Sequence, residues 1–456
     1  LTGSPPAVSR EAGFREGIAL NPAVRVIDTL QADWLRDRAE EELGKRIGQY
    51  GPIDVIVAQN DDMAFGASLA LARAKRSGIP IIGVDGLPGP RGGLDLVASK
   101  VLDATFTCPT GGSEAIAFAS DILRKREGIP KKVILRTQTV TRHDLQTGAL
   151  KGPVPVKRAN GRSNQKIVLG FAQVGAESVW RLANTRSIQE AAAHAGIELH
   201  FADGQQDQDV QKAAIRRFIA ERVDVIAFSP RLESGWEEVL NEARTAGIPV
   251  ILTDRSVDVK DDSLWVTFMG SDFLEEGRRA ARWLLDHTPG DSPVGIVELQ
   301  GTLGSAPAID RGLGFREVLE LNQRFTIIDS RVCDFTFQGG KDLMAKLIAD
   351  HGRNIKVVFS HNDDMALGAI EAIEAAGLKP GVDISIVSID AGRKAFEAMI
   401  AGKLACTVEC TPLLGPMLMK AVQDYMDGKE LPARIISSEG VFPAETAAVD
   451  IKRRQY

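Results

Sequence analysis

Short, nearly continuous apolar runs alternate with longer amphipathic stretches along most of this chain. In the second part, Ile167–Phe171, Ile197–Phe201, Val223–Phe228, Ile248–Leu252, Val294–Leu299, Phe325–Ile328, Ile355–Phe359 and Ile384–Val387 each predict a strand. Stretches such as Val210–Ala220 and Trp236–Ala246 carry the helical period between them. The first part reads the same way: a helix around Gly13–Ile18, a strand at Val24–Asp28, a long helix over Ala32–Tyr50, and a strand at Ile53–Ala58. A helix opening at Asn60 follows, then an apolar run, Ile79–Val84, stopped by Asp85-Gly86-Leu87-Pro88-Gly89-Pro90. Strands that are apolar on both faces and alternate with helices predict α/β architecture, with parallel sheets covered on both sides. From residue 166 onward there are more βα units than one sheet of ordinary width takes up, so two lobes are expected there.

The pattern fails between 148 and 165, where Gly, Pro and basic residues follow one another without periodicity around Pro153-Val154-Pro155. This reads as a linker. On either side of it the sequence repeats itself. Gln59-Asn60-Asp61-Asp62-Met63-Ala64 returns as His361-Asn362-Asp363-Asp364-Met365-Ala366, about 300 positions later. Ser4-Pro5-Pro6-Ala7-Val8-Ser9-Arg10 matches Ser305-Ala306-Pro307-Ala308-Ile309-Asp310-Arg311, and Gly83-Val84-Asp85-Gly86 matches Ser388-Ile389-Asp390-Ala391. Residues 1–147 therefore correspond to about 300–445 only. The expected organisation is a partial module (1–147), a linker (148–165) and a complete two-lobed module (166–456).

Composition changes this picture little. With 456 residues, 44% hydrophobic and 25% charged, the chain is an ordinary globular sequence whose length suggests about three domain-sized units. A formal net charge of -6 with dispersed Lys and Arg marks no nucleic-acid surface. No run approaches the roughly 20 apolar residues of a membrane span. The opening Leu1-Thr2-Gly3-Ser4 carries no initiator Met and no charged-then-apolar leader, so a mature or trimmed product is expected. Cys108, Cys333, Cys406 and Cys410 form no CxxC pair and read as isolated small apolar residues.

Polar residues cluster where strands end. Trp180 and Arg181 follow the first strand of the second part, and Asp254-Arg255 follows Ile251-Leu252-Thr253. Arg311 comes after the turn beyond Leu299, Asn362 after Phe359, Asp390 after Val387, and Glu409 after Cys406-Thr407-Val408. In open parallel sheets the carboxyl edge is where ligands bind, so facing lobes would gather these residues in one cleft. Arg, Asp and Asn offer paired hydrogen-bonding atoms that match neighbouring hydroxyls, and Trp offers a flat face to the C–H side of a sugar ring. Bland roles compete. Asn362 and Asp363 suit a helix start, Asp254–Arg255 a surface ion pair, Trp180 a core position and Arg311 a solvated helix. No Gly-x-Ser-x-Gly, P-loop or His-Glu-x-x-His is present, and Gly301-Thr302-Leu303-Gly304 lacks the third glycine and the lysine of a phosphate loop. No enzyme, cofactor or metal is therefore expected.

Gln173-Val174-Gly175-Ala176-Glu177-Ser178-Val179-Trp180-Arg181, Ala202-Asp203-Gly204-Gln205-Gln206, Thr253-Asp254-Arg255-Ser256, Val297-Glu298-Leu299-Gln300-Gly301-Thr302, Ala308-Ile309-Asp310-Arg311 and His361-Asn362-Asp363-Asp364-Met365 together resemble the periplasmic sugar-binding proteins of ABC importers, of the ribose/galactose type. Galactofuranose-binding members are the nearest in motif. The resemblance covers 166–456, while 1–147 resembles the C-terminal half of a more distant member. It implies the type I periplasmic-binding-protein fold: two parallel-sheet lobes joined by three crossovers, with a monosaccharide held in the cleft by hinge closure. It also implies a membrane permease as partner, a periplasmic location, and no nucleic acid or membrane insertion. Carried over by motif, the sugar contacts are Trp180, Arg181, Asp254, Arg255, Arg311, Asn362, Asp390 and Glu409, and their counterparts in the first part are Arg10, Asn60 and Asp85. Val179 stands where the family has glycine. The same lobes also serve ligand-sensing modules of regulatory and chemosensory systems, which is the alternative.

Overall fold

The computed structural model describes residues 4–125, 129–147 and 166–456. The expected linker, 148–165, lies outside the described residues. Contacts group the chain into two units, Leu1–Ile116 with Leu135–Val154 and Ala117–Ile134 with Pro155–Tyr456.

The first unit runs through α1 (Pro5–Ala19), α2 (Arg36–Arg46), β1 (Ile56–Val57), α3 (Asp61–Arg73), β2 (Ile81–Asp85), α4 (Gly93–Ala98) and β3 (Ala104–Thr107). The chain then passes through α5 (Gly112–Leu123) and β4 (Lys132–Ile134), of which all but the start of α5 groups with the second unit, and returns to the first with β5 (Thr139–Thr141) and α6 (Arg142–Thr147). The first unit's sheet has the order β1-β2-β3-β5, parallel except for β5. Two expectations fail here for physical reasons. Val24–Asp28 is not a strand, and Val24 and Ile27 are exposed. Its counterpart in the repeat, Phe325–Val332, pairs with a single neighbouring strand, and no equivalent of that neighbour occurs among the described residues of the first unit. A lone extended segment has no ladder to join. The helix expected from Ala32 begins only at Arg36, because Asp33 and Trp34 take positive φ of 51° and 68°.

The second unit continues with β6 (Val168–Gln173), α7 (Val179–Ala195), β7 (Glu198–Asp203), α8 (Gln208–Glu221), β8 (Val225–Phe228), α9 (Glu237–Thr245), β9 (Val250–Thr253) and β10 (Thr267–Gly270). Then come α10 (Phe273–His287), β11 (Val294–Gln300), α11 (Ala306–Leu319), β12 (Phe325–Val332), α12 (Phe337–His351), β13 (Ile355–Ser360), α13 (Asp363–Ala375) and β14 (Ser385–Asp390). The last are α14 (Arg393–Ile400), β15 (Cys406–Glu409), α15 (Gly415–Met426), β16 (Arg434–Ile436) and β17 (Val441–Pro443). Two sheets result, β4-β16-β10-β9-β8-β6-β7 and β12-β11-β13-β14-β15-β17, parallel except for the edge strands β4 and β17. Each is the centre of one lobe. The chain passes between the lobes three times: after β10, after β15 on its way to α15, and from β16 to β17.

Burial explains the layering. Phe171, Phe218, Phe228 and Trp236 are fully enclosed around the first lobe's sheet, and in the second lobe Phe315 stacks on Phe359 at 3.8 Å. Helices α10 and α11 approach closely because both contact points are glycine: a Cβ at Gly277 would run into the Arg311 carbonyl, and one at Gly314 into the Leu274 carbonyl. That approach seats Arg311 against α10. β4 lies antiparallel to β16, with Val133 opposite Ile435, which is why 117–134 groups with the second unit.

Candidate functional site

A cavity of about 300 Å³ opens between the two lobes of the second unit. From the first lobe come Glu177, Ser178, Trp180, Arg181, Asp254 and Arg255; from the second come Pro307, Arg311, Phe335, Asn362 and Asp390; Phe273 and Cys410 reach it from two of the crossovers. Seven of the eight residues expected from the sequence are thus brought together.

Helix starts place the first group. Ser178 caps α7, its hydroxyl accepting from Arg181 N at 3.1 Å, which turns Trp180 and Arg181 inward in the first turn. Arg181 Nε donates to Glu177 Oε1 at 3.0 Å, and Nη1 lies 2.8 Å from Asp254 Oδ2. Burial opposes its charge, but Asp254 and Glu177 outweigh that and raise its affinity for the proton. Arg255 is different. Its Nη2 lies 3.8 Å from Glu177 and its Nε 3.7 Å from Asp254, its Nη1 donates to the Arg231 carbonyl at 3.2 Å, and the buried Nε has no hydrogen-bond partner. Burial first, then the neighbouring Arg181, holds this guanidinium down to about 10. Glu177 Oε2 is likewise buried and unpartnered.

From the second lobe, Arg311 Nε donates to Glu276 Oε2 at 2.7 Å and Nη1 to the His361 carbonyl at 2.6 Å, while Nη2 stands 3.8 Å from Asp390. Its guanidinium lies 5.0 Å from the Phe273 ring and 6.0 Å from Phe335, and Arg255 lies 5.4 Å from Phe335 on the first-lobe side. Asp390 takes φ of 129°, a conformation an L-residue adopts only under constraint. Burial, opposed by Arg311, pushes its carboxyl well above the usual range.

Three placements refine the expectations. Trp180 donates its ring N–H to the Cys410 carbonyl at 2.6 Å, so only its face is left for a ligand. Asn362 lines the cavity, yet both ends of its amide are occupied: Oδ1 accepts from Met365 N and Nδ2 donates to the Phe335 carbonyl, each at 3.0 Å. Glu409 is not among the lining residues. Its Oε1 accepts from Arg454 Nη1 at 2.6 Å and its Oε2 from Gly440 N at 3.0 Å, which draws the carboxylate away. Asp363 is the structural acid of the pair, taking hydrogen bonds from Thr407 Oγ1 (2.9 Å), Gly392 N (2.7 Å) and the Ser388 hydroxyl.

The first unit repeats this half-site. Arg10 donates to Asp85 Oδ1 at 3.0 Å and to the Gln59 carbonyl, Asn60 caps α3 and donates to the Trp34 carbonyl at 3.1 Å, and Asp85 takes φ of 125°. Asp61 is held by Thr105 and Gly86 just as Asp363 is held by Thr407 and Gly392. Phe335 and Phe273 are cavity aromatics that sequence reasoning passed over, and Trp34 is the counterpart of Phe335 in the first unit. For Phe335 and Trp34 the signal was an aromatic directly after Asp in the loop before the repeat's helix, Asp334-Phe335 and Asp33-Trp34. Glu177 was visible only as part of a motif.

The periplasmic binding protein domain family matches residues 1–126 and 169–430. The chain belongs to that family. Among relatives of this periplasmic binding protein, the galactofuranose-binding protein YtfQ of Escherichia coli is 41% identical over 292 residues, covering 63% of this chain and 92% of that one. A Mycobacterium smegmatis structure in complex with β-D-fucofuranose is 50% identical, with a TM-score of 0.62 over 64% of this chain and 95% of its own. The periplasmic binding component of the arabinose ABC transporter of Shewanella sp. ANA-3, bound to α- and β-L-arabinofuranose, is 45% identical, with a TM-score of 0.61 over 63% and 95%. The two-lobed type I fold expected from the sequence is the fold of these relatives. Among the described residues no helix is long and apolar enough to cross a membrane.

Proposed function

We propose that the second unit is the solute-binding component of a carbohydrate ABC importer, capturing a neutral monosaccharide, in furanose form, between its lobes in the periplasm. The observation that carries this reading is the balance of the cavity. Three arginines (Arg181, Arg255, Arg311) line it together with three acids (Glu177, Asp254, Asp390), and its two fully buried side-chain atoms without a hydrogen-bond partner are of opposite kind, a donor, Arg255 Nε, and an acceptor, Glu177 Oε2. A cation or an anion would upset this balance, whereas a hydroxyl both donates and accepts and completes both atoms. Each buried polar atom left unpaired costs about 1–3 kcal/mol, so such a site selects for a full set of hydroxyls. The aromatic faces of Trp180, Phe273 and Phe335 suit the C–H side of a small ring.

The direct sugar contacts in this reading are Arg181, Arg255, Arg311, Asp254, Asp390 and the face of Trp180, with Asn362 holding Phe335 in place. Glu409 shapes the sheet edge beside Asp390, its partner in the β14–β15 pair. Residues 1–147 are read as the second-lobe half of a further module, whose Arg10, Asn60 and Asp85 form a half-site. The partner is the importer's membrane permease, and the site serves binding without catalysis. Calorimetric titration with galactofuranose, arabinose, ribose and galactose tests the function. Failure of every sugar to bind below about millimolar would remove it.

A further inference from the structure

All three passages between the lobes converge on one carboxyl group outside the ligand cavity. Glu439, in the β16–β17 passage, accepts through Oε1 from the Ser271 hydroxyl in the first passage, from Thr411 N at 3.1 Å in the second, and from Ser437 Oγ at 2.8 Å in its own. Ser271 Oγ also lies 3.3 Å from Cys410 Sγ. Oxygens of Glu439 and Glu276 and the Cys410 sulfur lie within 4.8 Å of one another. Glu276 Oε2 takes the Arg311 Nε hydrogen bond, so this cluster adjoins the ligand cavity through one guanidinium.

We propose that Glu439 is a positioning residue of the hinge, a neutral carboxylic acid that ties the three crossovers together and joins them through Glu276 and Arg311 to the ligand cleft. The charges around it favour the neutral form. Glu276 on α10 is a second buried acid, and Arg311, the nearest cation within the cluster, is already committed to it. Arg279 on α10 donates to the Glu439 backbone carbonyl at 3.0 Å rather than to its carboxyl. Asp390 lies beyond Arg311, and Cys410 offers a thiol that burial keeps protonated. On its other side Glu439 borders a separate cavity of about 630 Å³, where Lys131, Lys132, Asp272, Glu275 and Arg278 stand. Lys132 pairs there with Asp272 at 3.4 Å and Arg278 with Glu317 at 2.8 Å. Burial, then Glu276, pushes the Glu439 carboxyl up to about 8 in spite of its three donors. The same three atoms could be read as ligands for a metal ion, but Arg311 already supplies the positive charge at Glu276, and the Glu439 oxygen already accepts three hydrogen bonds.

The test uses the full chain and its E439Q and E439A variants, first without sugar. Glutamine keeps the acceptor oxygen but cannot ionise. A carboxyl raised in the folded state contributes stability below its unfolded value of 4.5 and loses it as pH rises towards about 8. The melting temperature of the wild type is therefore expected to fall relative to E439Q between pH 5 and 8, with E439A lowest throughout. Parallel wild-type and E439Q profiles, or E439Q as unstable as E439A, overturn the proposal. A wild-type melting temperature lowered by EDTA and restored by zinc, with E439Q indifferent to both, would make the cluster a metal site and also overturn it. A second arm rests on the sugar-binding reading: L-arabinose affinity is expected to weaken above pH 8 in the wild type, to stay flat in E439Q, and to drop about tenfold in E439A. If L-arabinose binds no variant at any pH, the sugar reading loses support, and the melting profiles still decide the hinge.

Discussion

The backbone N–H of Val179 donates to Asp364 Oδ2 at 2.9 Å, tying the first residue of α7 in one lobe to the first turn of α13 in the other. One of the unpaired amides at a helix start is satisfied by a carboxylate from across the cleft, so the bond exists only while the lobes are together. Asp364→Ala is expected to weaken sugar affinity about three- to tenfold, the worth of one modest hydrogen bond, while the melting temperature of the sugar-free protein holds. Titration of this variant with unchanged affinity would show that the contact does not contribute to closure.

Arg255 should be dispensable for folding and indispensable for binding. Its Nε has no hydrogen-bond partner and its contacts to the acids are long, so the sugar-free protein gains little from it. Arg255→Ala is expected to lower affinity at least a hundredfold, about 3 kcal/mol, with an unchanged or higher melting temperature. A fall in melting temperature alongside the loss of binding would mean that Arg255 is a structural ion-pair residue.

The architecture and the membership of the cleft were legible in the sequence because both rest on periodic burial and on residues at strand ends. Asp254, Asp390 and the arginines sit at the carboxyl edges where the alternation of apolar runs put them. What was not legible came from long-range partners. The carboxylate of Glu409 occupies the expected edge but is drawn off by Arg454, 45 residues on and near the C-terminus. Val24–Asp28 has a strand's composition without a neighbouring strand. Phe335 enters the cavity from a loop whose positive φ of 61° no hydrophobic pattern reveals.

The paired caps allow a structural role to be separated from a binding one. Asn362→Ala and Asn60→Ala each remove a cap accepting from a Met amide, at 3.0 and 2.8 Å, so each is expected to cost about 0.5–2 kcal/mol of stability by chemical denaturation. Only Asn362→Ala should also weaken sugar binding, because only it frees Phe335 in the complete cleft. Equal effects of the two substitutions on affinity would contradict the assignment of the site to the second unit.

Asp363 gives a pH signature distinct from that of the hinge. Burial, set against three hydrogen bonds, pushes its carboxyl from 3.8 up to about 7. The folded state then binds the extra proton between those values, so stability is fully present below 3.8 and is lost as pH rises towards 7. In Asp363→Asn this slope between pH 4 and 7 should flatten, as read by urea midpoints across the range, with a general loss of stability because Gly392 N, Ser388 and Thr407 no longer share a carboxylate. A slope as steep in the variant as in the wild type would place the titration elsewhere.

Isothermal titration calorimetry of the full chain with galactofuranose, arabinose, ribose and galactose, beside one charged sugar such as galacturonate, tests the central claim most directly. The balanced cavity predicts one site per chain, a dissociation constant of about micromolar or tighter for at least one neutral sugar, and no binding of galacturonate. Two sites per chain, preference for the charged sugar, or no neutral sugar bound below about millimolar would contradict it.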